Sequence, residues 1–448
     1  MIRKHSPTGD AAKALLNFTI PLILSGLFQQ LFNWVDAFIV GNVEGELALA
    51  GIGATTSIYN LFVTVITGFT SGLSVLSAQQ YGMGREREIR KTLATYTILL
   101  GAVFLLIAAG GIAGTAQILR LLDTPQNIFS SAHDYLQILL IGIPFLAVYN
   151  TYSAVLRGVG NSRAPFLSVL VSSAANVILD ILFVAGLGYG AAGAAIATVM
   201  AQAAMTIYLI AYAVVKYPVL RFHPLGRMWE RESAARGAGF GLPPAIQSGV
   251  SSAGNIFLQR FMNGFGEQTV AAITTAYRVD TVIFLPIINF GSGIATIVAQ
   301  NIGAGDKKRA EQVLRIGTVI MAIISLALTG LVLLLGEHLI ALFGLTPDSV
   351  EIGRSFFYSI AWFYLIYGIS MAIRGYLEGT GDMLFSGAAG VLSLLVRILC
   401  SYAFRPVFQN MVVAYAEAFS WVFLILVFLG RYFWKKREAG SACRSQTE

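Results

Sequence analysis

The sequence predicts an all-α polytopic membrane protein, with twelve transmembrane helices in two pseudo-symmetric lobes of six. Three observations predict it. The 448 residues are 56% apolar and only 12% charged, against about 25% charged in a soluble domain. Short motifs recur 221 residues apart, the mark of an internal duplication. The basic residues alternate with the apolar runs, as the two faces of a membrane require.

A membrane span needs roughly 20 mostly apolar residues. Twelve such runs follow one another, over residues 14–40, 47–78, 92–118, 133–155, 165–187, 190–215, 237–263, 269–301, 314–336, 354–376, 384–404 and 410–434. The first run follows the short basic segment 1–13. It is too long for a signal-peptide core and lacks a cleavage pattern, so it reads as a retained span. Residues 1–215 form a six-span N-terminal lobe and 237–434 a six-span C-terminal lobe. Between them, 216–236 carries Lys216, Arg221, Arg227, Arg231 and Arg236 and reads as a cytoplasmic linker. The polar segment 435–448 reads as a disordered cytoplasmic tail. Six is even, so the halves enter the membrane from one side and the repeat is parallel. Pro21, Pro144, Pro243, Pro244 and Pro286 fall within or at the start of spans, where proline frees a carbonyl and bends a helix. Small-residue stretches such as Gly190–Ala195 suit close helix contact in lipid.

The repeat is carried by its corners. Ala78-Gln79-Gln80-Tyr81-Gly82-Met83-Gly84 returns as Ala299-Gln300-Asn301-Ile302-Gly303-Ala304-Gly305, and Leu156-Arg157-Gly158-Val159-Gly160-Asn161 as Leu377-Glu378-Gly379-Thr380-Gly381-Asp382. Gly45-Glu46 returns as Gly266-Glu267. The Gly-rich corners follow spans rather than strands, and no Gly-Lys-Ser/Thr accompanies them, so they are not phosphate loops. Their chemistry is that of helix ends: glycine takes φ > 0 and turns the chain.

Charge and composition exclude several functions. The net charge is +7, but 24 of the 30 Lys and Arg fall in the termini, the loops after spans 2, 4, 6, 8 and 10, or the span ends that adjoin them. That bias places both termini in the cytoplasm of a multi-pass protein of the cell (inner) membrane. It is a topology signal rather than a nucleic-acid surface, for which no soluble domain remains. The two cysteines, Cys400 and Cys443, imply no disulfide framework. His5, His133, His223 and His338 lie in loops or the tail without metal-ligand spacing, and no Ser/His or Cys/His arrangement falls in a span. The chain therefore reads as no enzyme.

Ionisable groups within spans are functional candidates because they are costly in lipid. Asp36 lies eight residues before Glu44 in the first outer loop, about 12 Å along the helix. Asp180 precedes the outer turn Gly186-Leu187-Gly188 by six to eight residues, and Thr198 follows Gly190 by eight. All three thus reach a similar depth. Asn33 and Asp36, Asn176 and Asp180, and Thr198 and Gln202 share helix faces by their spacing. Carboxylate, amide and hydroxyl oxygens suit a desolvated Na⁺. Two carboxylates in one low-dielectric cavity would equally hold a proton. The second half carries Arg260, Asp280, Arg397 and Glu417 instead, a set able to pair internally. Through the repeat, Asn176 corresponds to Arg397 and Asp180 to Ser401, so the acid pair is not duplicated.

Taken in order, these motifs resemble the multidrug and toxic compound extrusion (MATE) family over nearly the whole length. They are Leu31-Phe32-Asn33-Trp34-Val35-Asp36, the two glycine corners, Asn176-Val177-Ile178-Leu179-Asp180 and Gly193-Ala194-Ala195-Ile196-Ala197-Thr198. The resemblance implies two lobes that alternate between inward- and outward-facing states, exporting organic cations and other amphipathic compounds in exchange for Na⁺ or H⁺. In the prokaryotic branch, it implies a cation site formed by Asp36, Asn176, Asp180, Thr198 and Tyr135, with Asn150 as a cavity amide. Asn33, Gln202, Asp280, Arg397 and Glu417 are further cavity candidates. The seventh-span Glu of another branch is missing here. Beyond the coupling ion no cofactor is expected. The expected partners are small amphipathic or cationic substrates and the lipid bilayer, with no nucleic acid, and the chain is expected to be monomeric. The alternatives are a lipid-linked precursor flippase of the same superfamily or a different secondary transporter. A flippase would favour a strongly cationic cavity and often fourteen spans. A major-facilitator protein would show nested three-span inverted repeats.

Overall fold

The structure is a computed structural model that describes residues 11–44, 46–221 and 230–444, with the side chains of 36, 37, 42, 44, 46–50, 54 and 439–444 outside the description. Twelve long helices follow in order and no strand occurs among the described residues. They are α1 (Ala11–Glu44), α2 (Glu46–Gly82), α3 (Glu86–Ala113), α4 (Gln126–Gly158), α5 (Arg163–Gly186) and α6 (Gly190–Lys216) in the first half. The second half has α7 (Arg231–Asn263), α8 (Glu267–Gly303), α9 (Lys307–Ala341), α10 (Pro347–Gly379), α11 (Met383–Ala403) and α12 (Val412–Arg444). Each overlies one apolar run of the sequence. Residues 435–444, expected to be disordered, continue α12 as helix. Lys435 is held there by Asp382 at 3.0 Å.

Among the described residues, eleven helices are long and apolar enough to cross a membrane. The twelfth, α7, has the length, at 33 residues, but not the apolarity. Glycine, serine and glutamine replace large apolar side chains along it, and Gly237, Gly241 and Gly254 are contact points. A Cβ on Gly237 would meet the Tyr96 ring at 2.1 Å, and one on Gly254 would meet Leu394 at 2.3 Å. Small residues permit such close approach where lipid supplies no hydrophobic drive between helices. Ion pairs fasten the start of α7 to α3: Lys91–Glu230 at 2.6 Å and Arg236–Glu88 at 2.9 Å. The hydrogen bonds from Lys91 and Ser233 hold the Glu230 carboxyl below its ordinary range.

The described residues fall into two compact units. One is Ile20–Ala245; the other joins the residues up to Thr19 with those from Ile246 onward. The divisions lie beside Pro21 in α1 and Pro243-Pro244 in α7, inside both helices. The first unit packs around Phe69, Leu73, Tyr96, Leu136 and Leu140. The second packs around Phe290, Ile294, Phe356, Phe357 and Phe428.

The repeated corners take the same geometry. Gly84 and Gly305 have φ of 71° and 80°, and Gly160 and Gly381 have 89° and 93°. Asn161 N–H donates to Leu156 O at 2.9 Å and Asp382 N–H to Leu377 O at 3.0 Å, the long closing bond of a Schellman cap. Two residues earlier each corner presses on a neighbouring helix. A Cβ on Gly158 would stand 2.6 Å from Ser77 Cβ and 2.9 Å from Ser74 O; on Gly379, 2.7 Å from both Ala295 O and Val298 Cγ1. Ser74 and Ala295, like Ser77 and Val298, are repeat mates. The duplication therefore preserves a helix contact as well as a turn.

Candidate functional site

Five helices of the Ile20–Ala245 unit meet in a small apolar cluster: Val40 from α1, Ile52 and Tyr59 from α2, Tyr135 and Leu139 from α4, Val184 from α5, and Ala191, Ala194 and Ala195 from α6. The small run at the start of α6 makes this possible. A Cβ on Gly193 would lie only 3.1 Å from Phe183 O. The expected cation ligands sit on these same helices.

Asp180 is fully buried, with 0% of its surface exposed. It is the last α-helical residue of α5 before a π-helical turn over Ile181–Gly186. A π turn widens the helix and recurs at functional sites. One turn earlier, Asn176 Nδ2 is buried without a hydrogen-bond partner. Thr198 on α6 is half-buried, and one turn on Gln202 donates from Nε2 to the Tyr59 hydroxyl, leaving its Oε1 buried and without a partner. Gln202 fits against α4 only because Gly142 has no side chain: a Cβ there would fall 2.3 Å from Gln202 Oε1. Buried polar atoms are normally satisfied, but here an amide N–H of Asn176 and the amide oxygen of Gln202 are not. The amide and carboxylate oxygens of these side chains are of the type that suits a hard cation or a proton.

Tyr135 is itself a member of the apolar cluster, with 6% of its surface exposed. Asn150 Nδ2 donates to Leu146 O on its own helix at 2.9 Å, and Asn33 Nδ2 donates to Gln30 at 3.1 Å. Asp36 lies on α1, but its side chain falls outside the described residues.

In the other unit, three of the four expected charges gather. Arg397 Nη2 donates to Glu417 at 2.9 Å and to the Tyr277 hydroxyl at 2.8 Å, its guanidinium 5.6 Å from the Tyr277 ring centre. Asp280 accepts from the Tyr364 hydroxyl at 2.5 Å through one oxygen. Its other oxygen is buried without a partner. Phe284, Tyr364, Tyr367 and Trp421 pack around it with ring centres 4.8–6.1 Å apart. Arg260 is exposed and stays outside the group.

Sequence reasoning passed over Tyr59, Tyr277 and Trp421. Signals existed for all three. Tyr59 is the repeat mate of Asp280, Tyr277 precedes Asp280 by three residues, and Trp421 follows Glu417 by four. Each of the last two therefore shares a helix face with an acid already singled out.

Comparison with known proteins bears on the family and the fold. The family model MatE matches twice, over residues 21–182 and 243–403. The second match begins 222 and ends 221 residues after the first, the period of the corners. The chain is similar to the probable multidrug resistance protein YpnP of Bacillus subtilis, with 29% identity over 401 residues, 90% of this chain and 89% of the relative. It is similar also to YoeA of the same organism, with 27% identity over 436 residues and 94% of each chain covered. A solved outward-facing multidrug resistance MATE transporter superposes with a TM-score of 0.88 at 19% identity, over 99% of this chain and 100% of the other. A MOP superfamily transporter from Pyrococcus furiosus gives 0.87 at 22% identity, over 95% and 97%. At those identities the superpositions speak for the fold.

Proposed function

This chain belongs to the MatE family of multidrug efflux transporters, and from that premise we propose that it is a cation-coupled antiporter. It exports organic cations, drugs or other amphipathic compounds by alternating access, driven by Na⁺ or H⁺. In this reading the protein acts as a monomer in the cell membrane with both termini in the cytoplasm, and it needs no cofactor beyond the coupling ion. One observation carries it: a fully buried aspartate, Asp180, at the junction of an α-helix and a π turn inside a membrane span.

A carboxylate buried within a membrane span is a functional candidate, and a bound cation or proton is a ligand that its chemistry suits. Asn176, one turn before Asp180, and Thr198 and Gln202, on the neighbouring helix α6, offer amide and hydroxyl oxygens. In this reading Asp36 of α1 is the second acid. The ion couples to export only if it binds one conformational state more tightly than the other.

The test is efflux of a fluorescent organic cation from reconstituted vesicles under imposed Na⁺ or H⁺ gradients. Asp36→Asn and Asp180→Asn are expected to reduce gradient-driven transport to the level of empty vesicles. Unchanged transport in both variants would remove the site, and the gradient that drives the wild type identifies the ion.

A further inference from the structure

An open groove of about 560 Å³ runs along the start of α8, lined by Asn263, Glu267, Val270, Thr274, Thr275 and Arg278 among others, all of the second unit. Glu267, Val270, Thr274 and Arg278 follow one another at spacings of three and four, so they form a single stripe of the helix. Thr275 stands beside Thr274 at the same level. The groove thus carries a carboxylate at one end of the stripe and an exposed guanidinium with two hydroxyls toward the other.

Arg278 is eleven residues from Glu267, about 16 Å along the helix, too far for an ion pair. Among the described residues no carboxylate lies within 4 Å of Arg278, and it makes no hydrogen bond. The other arginines away from the basic loops of this unit are mostly occupied. Arg397 pairs with Glu417, Arg354 with Glu337 and Glu351, and Arg405 lies over the Phe265 ring at 5.0 Å. Thr274 Oγ1 is buried without a hydrogen-bond partner. A threonine in a helix normally returns its hydroxyl to the carbonyl four residues back, as Thr281 does to Tyr277 at 2.8 Å. Thr274 does not.

We infer that this stripe is an oxyanion subsite, taking the phosphate or carboxylate head of an amphipath through Arg278, with Thr274 and Thr275 as hydroxyl donors. A planar guanidinium recognises such a head by two parallel hydrogen bonds. An anion there also compensates a charge that is costly on a membrane helix. The subsite goes beyond the antiport reading and needs no gradient to be detected. Its head group belongs either to a transported anionic amphipath or to a resident lipid.

The experiment uses the full chain in nanodiscs of neutral phosphatidylcholine. Equilibrium binding is measured for two probes of equal chain length and opposite charge, dodecyl phosphate and dodecyltrimethylammonium. Arg278→Gln is expected to weaken dodecyl phosphate at least about tenfold and to move dodecyltrimethylammonium less than about twofold. Arg278→Lys retains the charge without the bidentate fork and is expected to fall between. Two further arms separate the sources. Dodecyl phosphate driven across vesicles by the wild type identifies a cargo. Phosphatidylglycerol that copurifies with the wild type and is lost from Arg278→Gln identifies a lipid. Equal dodecyl phosphate affinity in wild type and Arg278→Gln would overturn the inference. So would an equal loss for both probes, which means the groove senses the alkyl chain and ignores the head.

Discussion

At the residue scale, the pair Arg397–Glu417 shows how a membrane lobe holds charge. Both side chains are mostly covered, at 17% and 12% exposure. Removing one member of such a pair leaves the other uncompensated, at a cost of about 3–5 kcal/mol when fully buried, whereas replacing both with apolar groups is often nearly neutral. We therefore expect Arg397→Met and Glu417→Leu each to lower the thermal unfolding midpoint of the purified protein clearly. The double variant should regain most of the loss. The shortfall should be about 1 kcal/mol, because the Tyr277 hydroxyl loses its partner. A double variant no better than the worse single one would mean that the pair is not the unit of stability. The pairing itself could not be read from the sequence. The repeat placed Arg397 opposite Asn176, but its partner stands twenty residues away on another helix, and only packing decides which acid it meets.

At the element scale, the two repeated corners reach the same turn with different latches. In the first half Asn161 donates to the hydroxyls of Tyr217 at 3.0 Å and Tyr212 at 3.2 Å. In the second half Asp382 binds Arg431 at 2.7 Å and Lys435 at 3.0 Å. One latch is neutral and the other ionic, so only the second answers to pH. Partial burial works against the charge of Asp382, but the hydrogen bonds from Arg431 and Lys435 outweigh it and hold the carboxyl below its ordinary range. With the folded value below the unfolded one, about 3.9, the unfolded chain binds more protons between them. Stability from this group is then present above the unfolded value and fades as pH falls through the folded one. Asp382→Asn should lower stability by about 1 kcal/mol at pH 7, and the gap to wild type should close in strong acid. Thermal scans in detergent across pH check this, with Asn161→Ala as a control whose deficit stays flat. The corners were legible in the sequence because the demand for φ > 0 at Gly160 and Gly381 is local. The break of α8 between Ile283 and Leu285 was legible too, because Pro286 falls in the first turn of the helix that resumes there. The π turn after Asp180 was not, since nothing in Ile181-Leu182-Phe183-Val184 distinguishes those residues from ordinary apolar helix.

At the scale of the whole molecule, the duplication kept the scaffold and let the buried chemistry of the halves diverge. Twelve spans were readable because each apolar run meets the thickness of a bilayer. Even α7, whose glycines and serines lower its apolarity, was readable by length and position. The polar sets follow a different rule. Asn176 and Asp180 correspond to Arg397 and Ser401 through the repeat, and Tyr59 corresponds to Asp280. In the first half the Gln202 amide oxygen is a buried acceptor without a partner, whereas the second half has given its guanidinium and one carboxylate to each other and keeps one unpartnered oxygen on Asp280. An ion that must bind and leave needs acceptors not already committed, and the proposed cation site meets that need in the first half. In that reading function is asymmetric between symmetric lobes. The Arg397→Met/Glu417→Leu double variant, once shown to fold, should keep its response to a Na⁺ or H⁺ gradient, with efflux rates within about threefold of wild type, a barrier change under 1 kcal/mol. Asp180→Asn should lose that response while still binding the fluorescent substrate at equilibrium. Side-by-side measurement in the same vesicles decides it. Loss of gradient response in the double variant with intact substrate binding would move the coupling ion into the second half and refute the division of labour argued from the repeat.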